Sequence, residues 1–80
     1  MTKRLFTIRC DWDAEARVWY VAESEVPGLS LEAPTQQEMT AKLRRAVPEL
    51  LELNGLLRAD LDEVPVSLLY ARRETMRRMA

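Results

Sequence analysis

Alternating apolar and polar positions predict three strands in the N-terminal part of the chain. Residues 5–10 place apolar side chains at every second position, as a strand with one buried face does. A polar, turn-favouring stretch at 11–17 precedes a β-branched and aromatic run at 18–22, so the two runs predict a hairpin. A Pro-Gly pair then signals a turn, and alternation resumes at 29–32. We therefore expect three consecutive strands in an antiparallel meander.

A helix is predicted to follow, because Thr35 stands three residues before Glu38 at the start of an apolar periodicity. In this capping-box pattern the two side chains bond backbone N–H groups that the first helical turn leaves free. Pro48 lies inside the run and removes one helical hydrogen bond, so we expect a kink or short break at 44–47. The Asn-Gly pair at 54–55 predicts the end of the helix. The positions expected to face the core are Met39, Leu43, Ala46, Val47 and Leu50.

The last apolar run, residues 64–70, predicts a fourth strand and completes the expected fold. This is an α+β domain of two layers, a four-stranded sheet in the chain order β-β-β-α-β with one long helix on one face. If the fourth strand lies parallel to the first, a right-handed crossover gives the sheet order 3-2-1-4. We expect one domain over residues 1–73, followed by a basic tail, 74–80, that is either frayed helix or disordered.

Composition excludes several classes of function without selecting one. The chain has 80 residues, 48% of them hydrophobic and 31% charged, with a net charge of −1, one cysteine and no histidine. The lack of histidine excludes His-based acid–base catalysis and Ser-His or Cys-His nucleophile pairs, and it disfavours most transition-metal sites. No internal disulfide can form, and neither a membrane span nor a secretory signal is visible. We expect a cytoplasmic protein without a cofactor.

The charged residues are unevenly distributed along the chain. Residues 11–63 carry twelve acidic and five basic side chains, whereas residues 1–10 and 64–80 each carry a net charge of +3. This acidic centre disfavours a general nucleic-acid binder. The C-terminal cluster has three possible interpretations: a solvated tail, a contact with nucleic-acid phosphates, or a contact with an acidic surface of a partner or a second copy. The cluster consists of Arg72, Arg73, Arg77 and Arg78.

Two groups of residues could indicate a metal site or a nucleophile, but a structural role explains each of them better. Asp11, Asp13 and Glu15 alternate along the chain, and clustered carboxylates hold the metal ions of two-metal nucleases. A calcium-binding loop also uses alternating carboxylates, but the glycine and the distant glutamate that complete such a loop are missing here. Acidic side chains are also favourable in turns because they bond nearby backbone amides, so we expect a solvated turn. Cys10 has only Arg9 as a nearby positive charge, and that side chain points to the other strand face. We therefore expect a buried core thiol.

A succession of fragments over about residues 5–70 carries a resemblance to a known family: Trp12-Asp13, Glu15-Ala16, Val18-Trp19, Val26-Pro27-Gly28-Leu29, Glu32-Ala33, Thr35 with Glu38, and Val47-Pro48-Glu49-Leu50-Leu51 with Asn54. The resemblance is to the HicB-like superfamily, and within it to a small bacterial subgroup of domains of unknown function. It implies a partial ribonuclease-H-like fold and the function of an antitoxin that binds a small HicA ribonuclease toxin. Longer members add a DNA-binding module after the last strand, whereas about ten residues follow it here, so DNA binding is not expected.

The apolar character of both strand faces predicts an interaction surface. In the second and fourth strands, both alternating sets of positions carry apolar residues. The sheet face that the helix leaves open would therefore expose an apolar patch of a size that monomers rarely tolerate. We expect a dimer or higher oligomer formed through this face. We assign the aromatic residues Trp12, Trp19 and Tyr20 to core and interface packing, since a base-stacking platform needs basic neighbours. The interface candidates are Tyr20, Leu69, Arg72 and Arg73, in a non-enzymatic protein that binds itself or a small basic ribonuclease toxin.

Overall fold

The computed structural model describes residues 5–57 and 63–79. Its elements are β1 (Phe6–Asp13), β2 (Val18–Ser24), β3 (Glu32–Ala33), α1 (Gln36–Leu53) and β4 (Val66–Ala71). The strands form one sheet in the order β3-β2-β1-β4, with β1 antiparallel to β2 and parallel to β4. The predicted α+β class, the chain order and the sheet order are confirmed.

The first two strands are longer than predicted and the third is shorter. β1 continues through Asp13 because it stays paired with β2 down to the turn, where Trp12 lies opposite Trp19. β2 continues through Ser24 at its other end, where Ser24 lies opposite Ile8. β3 contains only two residues, and the segment before it bends at Gly28, whose φ of 77° lies in the left-handed region. The expected strand at 29–32 is therefore reduced to a short pairing with β2.

Helix α1 begins as predicted and runs through the position where a break was expected. Thr35 is its N-cap, and the Thr35 side chain accepts a hydrogen bond from the Glu38 N–H at 3.1 Å. The helix is continuous across Pro48, so a short break is wrong, and a kink there stays a prediction. Pro48 itself is exposed, whereas Val47 and Leu51 on either side of it are buried in the core. The packing of these two side chains stabilises the helix on both sides of Pro48.

A single core lies between the sheet and α1. The positions of β1 that face the helix are almost completely buried, and Cys10 is one of them, as expected. Leu51 takes a core position where Ala46 and Leu50 were expected, and those two are half-buried. Val26, in the loop after β2, is buried although its segment has no strand pattern. The buried residues are Phe6, Ile8, Cys10, Trp19, Val26, Ala33, Met39, Leu43, Val47 and Leu51.

Candidate interaction surface

The sheet face opposite α1, here called the open face, holds two of the four interface candidates. Alternation along the strands places Thr7, Arg9 and Asp11 of β1 on this face, since the residues between them are buried under the helix. Sheet pairing sets Tyr20 beside Asp11 and Leu69 beside Arg9. Tyr20 is 39% exposed and Leu69 is 55% exposed, so both present apolar surface to solvent.

The centre of the open face is polar, which differs from the expectation of two apolar faces. The Arg9 guanidinium pairs with Asp11 at 3.1 Å and with Glu23 on β2 at 3.3 Å. The hydrogen bond from Arg9 to Asp11 and the two negative charges raise the pKa of Arg9 above its ordinary value. The sequence carried a signal for this network, because opposite charges two residues apart share a strand face. The apolar patch is thus divided by ion pairs into two smaller parts, at Tyr20 and at Leu69.

The remaining two candidates lie at the end of the sheet where β4 finishes. Arg72 and Arg73 line a shallow depression together with Tyr20, Asp11, Trp12 and Ala71. The Arg72 guanidinium lies 5.1 Å from the centre of the Trp12 ring and 3.1 Å from a carboxylate oxygen of Glu74. Three of the four candidates therefore surround one depression, and Leu69 lies outside it.

An aromatic cluster supports this end of the sheet from the helix side. The rings of Trp12 and Trp19 lie 5.3 Å apart, and Tyr70 meets Trp19 edge-on at 5.3 Å. The Tyr70 hydroxyl is 2.6 Å from the Thr40 hydroxyl and donates to the Gln36 carbonyl at 3.2 Å, which joins the end of β4 to the first half of α1. The two tryptophans lie on the helix side and Tyr20 on the opposite side, so the three do not form one stacking platform.

The acidic loop between β1 and β2 has a structural role in the turn. One Asp13 carboxylate oxygen accepts hydrogen bonds from the backbone N–H groups of Glu15 and Ala16 at 3.0 and 3.1 Å. Asp11 is instead paired with Arg9. Across residues 5–57 and 63–79, no three Asp, Glu, Cys or His side chains are grouped so that they could hold a metal ion.

The Cys10 thiol is fully buried on the central strand. Burial, and to a smaller extent the negative charge of Asp11, raises the pKa of this thiol above its ordinary value. A raised pKa keeps the sulfur protonated, whereas a nucleophilic cysteine needs the thiolate and access to its substrate. Cys10 is therefore a core residue.

Residues 72–79, here called the arm, continue beyond β4 without regular secondary structure. Met76 and Met79 are 84% and 91% exposed, and every described residue of the arm is exposed. The molecule measures 60 × 25 × 18 Å, which is elongated for a chain of 80 residues and agrees with an arm that does not fold back. In the described part of the chain, no helix has the length and apolar character that crossing a membrane requires.

Comparison with known proteins identifies the family and gives no activity. Residues 5–80 match the family described as domain of unknown function DUF1902, so the match includes the arm. A crystal structure of the hypothetical protein TTHA1013 from the extremely thermophilic bacterium Thermus thermophilus has 43% sequence identity and a TM-score of 0.67, covering 91% of this chain and 97% of that one. No curated protein matches the chain. The chain belongs to the DUF1902 family of domains of unknown function.

Proposed function

We propose that this protein is a non-enzymatic interaction domain that binds a small basic protein through its open face, in the manner of a HicB antitoxin that neutralises a ribonuclease toxin by covering its active surface. The observation that carries the proposal is the composition of this face. Two exposed apolar side chains, Tyr20 and Leu69, flank a centre of ion-paired charges. In protein interfaces a few side chains, often aromatic, contribute most of the binding energy, and Tyr20 is an exposed aromatic side chain on this face.

The acidic side chains of β1 and β2 favour a basic partner, while Arg72 and Arg73 add positive charge beside Asp11 at the end of β4. Asp11, Asp13 and Glu23 belong to β1 and β2, and Arg9 is their single positive neighbour on β1 and β2. A positively charged protein surface would be attracted to this acidic edge, and the attraction would weaken as salt screens it. The same acidic character disfavours RNA or DNA on this face, because phosphates would meet carboxylates.

A second candidate function is that of an orphan accessory or regulatory domain that assembles only with itself. The exposure of Leu69 favours it, because an uncovered leucine on an edge strand is a site that self-association would bury. The domain is also small, and a chain of 80 residues buries less of its surface than larger domains do. The two candidates differ in whether a basic protein partner exists.

The test begins with the genes on either side of the one that encodes this chain, and the product of a short, basic open reading frame found there is the probe; the lack of such a gene would favour the orphan domain. The purified protein is titrated into the ribonuclease assay of that product, and binding is measured by calorimetry. We expect inhibition at equimolar ratio and an association rate that falls as the ionic strength rises. Tyr20→Lys should weaken binding about tenfold or more, because a buried aromatic anchor typically contributes at least that much.

Leu53→Lys is the matched control. Leu53 is an apolar side chain, 79% exposed at the last residue of α1, and thus belongs to the helix layer and not to the open face. This variant should inhibit as the native protein does. Equal loss in both variants would contradict an open-face interface, and the absence of any binding would favour the orphan domain.

A further inference from the structure

Strand β4 presents a free edge. It is the last strand of the sheet, and no described strand pairs with its outer side. The Phe6 N–H bonds to the Pro65 carbonyl at 3.2 Å, which orients the backbone of the odd-numbered β4 residues towards β1. The backbone N–H and C=O groups of Val66, Leu68 and Tyr70 therefore point outward. Such an edge of six residues is a template for another strand, whereas the opposite edge, β3, has only two.

An apolar groove runs beside this edge on the helix side of the sheet. The backbone of α1 comes closer to β2 and β3 than to β4, so β4 is incompletely covered. As a result Val66 and Leu68 are only half-buried, whereas the neighbouring β1 residues are fully buried. Val47, Pro48 and Leu57 complete its apolar lining, and Thr40 and Arg44 border it. Strand pairing at this edge would cover the groove as well.

We propose that two copies of this chain pair antiparallel through β4, forming one continuous sheet of eight strands with both helices on the same side. A two-fold axis perpendicular to the sheet requires paired residues to lie on the same face, so the register can be centred on Leu68. This register sets Val66 opposite Tyr70 of the second copy. The apolar grooves of the two copies then meet across the axis and cover one another.

Charge complementarity favours this register over the next one along the strand. When Leu68 faces Leu68 of the second copy, pairing continued beyond the ends of β4 sets Arg73 opposite Glu63 of the second copy. Centring the pairing one residue later, on Leu69, would set Arg73 opposite Pro65. Opposite charges directly across antiparallel strands are stabilising, and a charge facing proline gains nothing comparable.

In this dimer the rest of the arm would lie near acidic residues of the second copy. The first half of α1 lies beside the end of β4, through Tyr70, and its second half lies beside the start of β4, so the helix runs antiparallel to the strand. The arm leaving one β4 thus passes the second half of α1 in the other copy. That half carries Glu49 and Glu52 and has no basic residue in its last turn. Arginines brought there would complement both the carboxylates and the negative end of the helix dipole.

The first experiment compares two neighbouring leucines of β4 by light scattering and sedimentation at micromolar concentration, with no partner present. The native chain should be a dimer. Leu68→Lys places two ammonium groups at the two-fold axis inside the groove and should weaken the dimer about tenfold or more. Leu69→Lys makes the same change on the open face and should leave the dimer intact. A native monomer, or dissociation by Leu69→Lys alone, would overturn the proposal, the latter in favour of an open-face dimer.

The second experiment reverses charges and does not depend on core residues. Arg73→Glu and Glu63→Arg should each weaken dimerisation, and the double variant should restore it, since both side chains are exposed and remain oppositely charged. If the double variant is as weak as the single ones, the register is wrong. The inference goes beyond the proposed function and is tested separately, because a Leu68→Lys monomer should still bind the basic protein through the open face.

Discussion

The hydroxyl of Tyr70 offers a sensitive test of how β4 is held against α1. It is 2.6 Å from the Thr40 hydroxyl in a partly buried position and 3.2 Å from the Gln36 carbonyl in an exposed one. A neutral hydrogen bond contributes about 0.5–1.5 kcal/mol, and the exposed bond is readily replaced by water, so we expect Tyr70→Phe to cost about 1 kcal/mol. In a domain of 80 residues this lowers the melting temperature by about 4–8 °C.

A double-mutant cycle with Thr40→Val isolates the bond between the two hydroxyls. Both substitutions keep the shape of the side chain, so the cycle removes the interaction while preserving the packing of Tyr70 on Trp19. We expect a coupling energy of about 0.5–1 kcal/mol, measured by urea denaturation at one protein concentration because self-association would shift the midpoint. A Tyr70→Phe variant that unfolds like the native protein, with a coupling energy of zero, would refute the assignment.

Three further predictions concern the core and the helix start. Ile8→Ala should lower the free energy of unfolding by about 2–5 kcal/mol in chemical denaturation, since this fully buried side chain leaves a cavity in the central strand; a loss below about 1 kcal/mol would contradict its position. Thr35→Ala should cost about 1 kcal/mol by removing the cap on the Glu38 N–H, whereas Thr35→Ser should retain it. Because burial raises the pKa of the Cys10 thiol, only the unfolded chain loses that proton above about pH 8.5, so stability is full below this pH and falls above it. Cys10→Ala should remove this contribution to the fall of the free energy of unfolding with pH. An unchanged pH dependence would show that other groups cause the fall.

Local chemistry explains which elements the sequence could predict. The start of α1 at Thr35 depends on a hydrogen bond between residues three apart, and its end at Asn54 and Gly55 on the left-handed φ of the glycine. The sheet order followed from the parallel crossover, which is a rule of topology. Each of these features is decided within a few residues or by a general constraint on chain connections.

The errors arise where distant residues decide the outcome. β1 extends to the turn because Trp12 and Trp19 pair across the strands, a long-range contact that the polar sequence after residue 10 does not indicate. The helix remains intact at Pro48 because Val47 and Leu51 are anchored in a core that no local pattern describes. The ion pairs of Arg9 interrupt an open face that the apolar residues of the other strands had suggested was continuous.

The division of the open face bears on where the two proposed interactions of this domain would lie. Burying the Arg9 network in a permanent symmetric interface would require desolvating its charges, a cost that an ion pair often does not recover. The edge of β4 and its groove have a smaller desolvation cost, because most of the side chains that line the groove are apolar and the outward backbone groups of β4 gain partners from a second strand. Self-association is therefore better placed at the edge, and the charged open face, which can remain partly hydrated, is better suited to a separate protein of opposite charge.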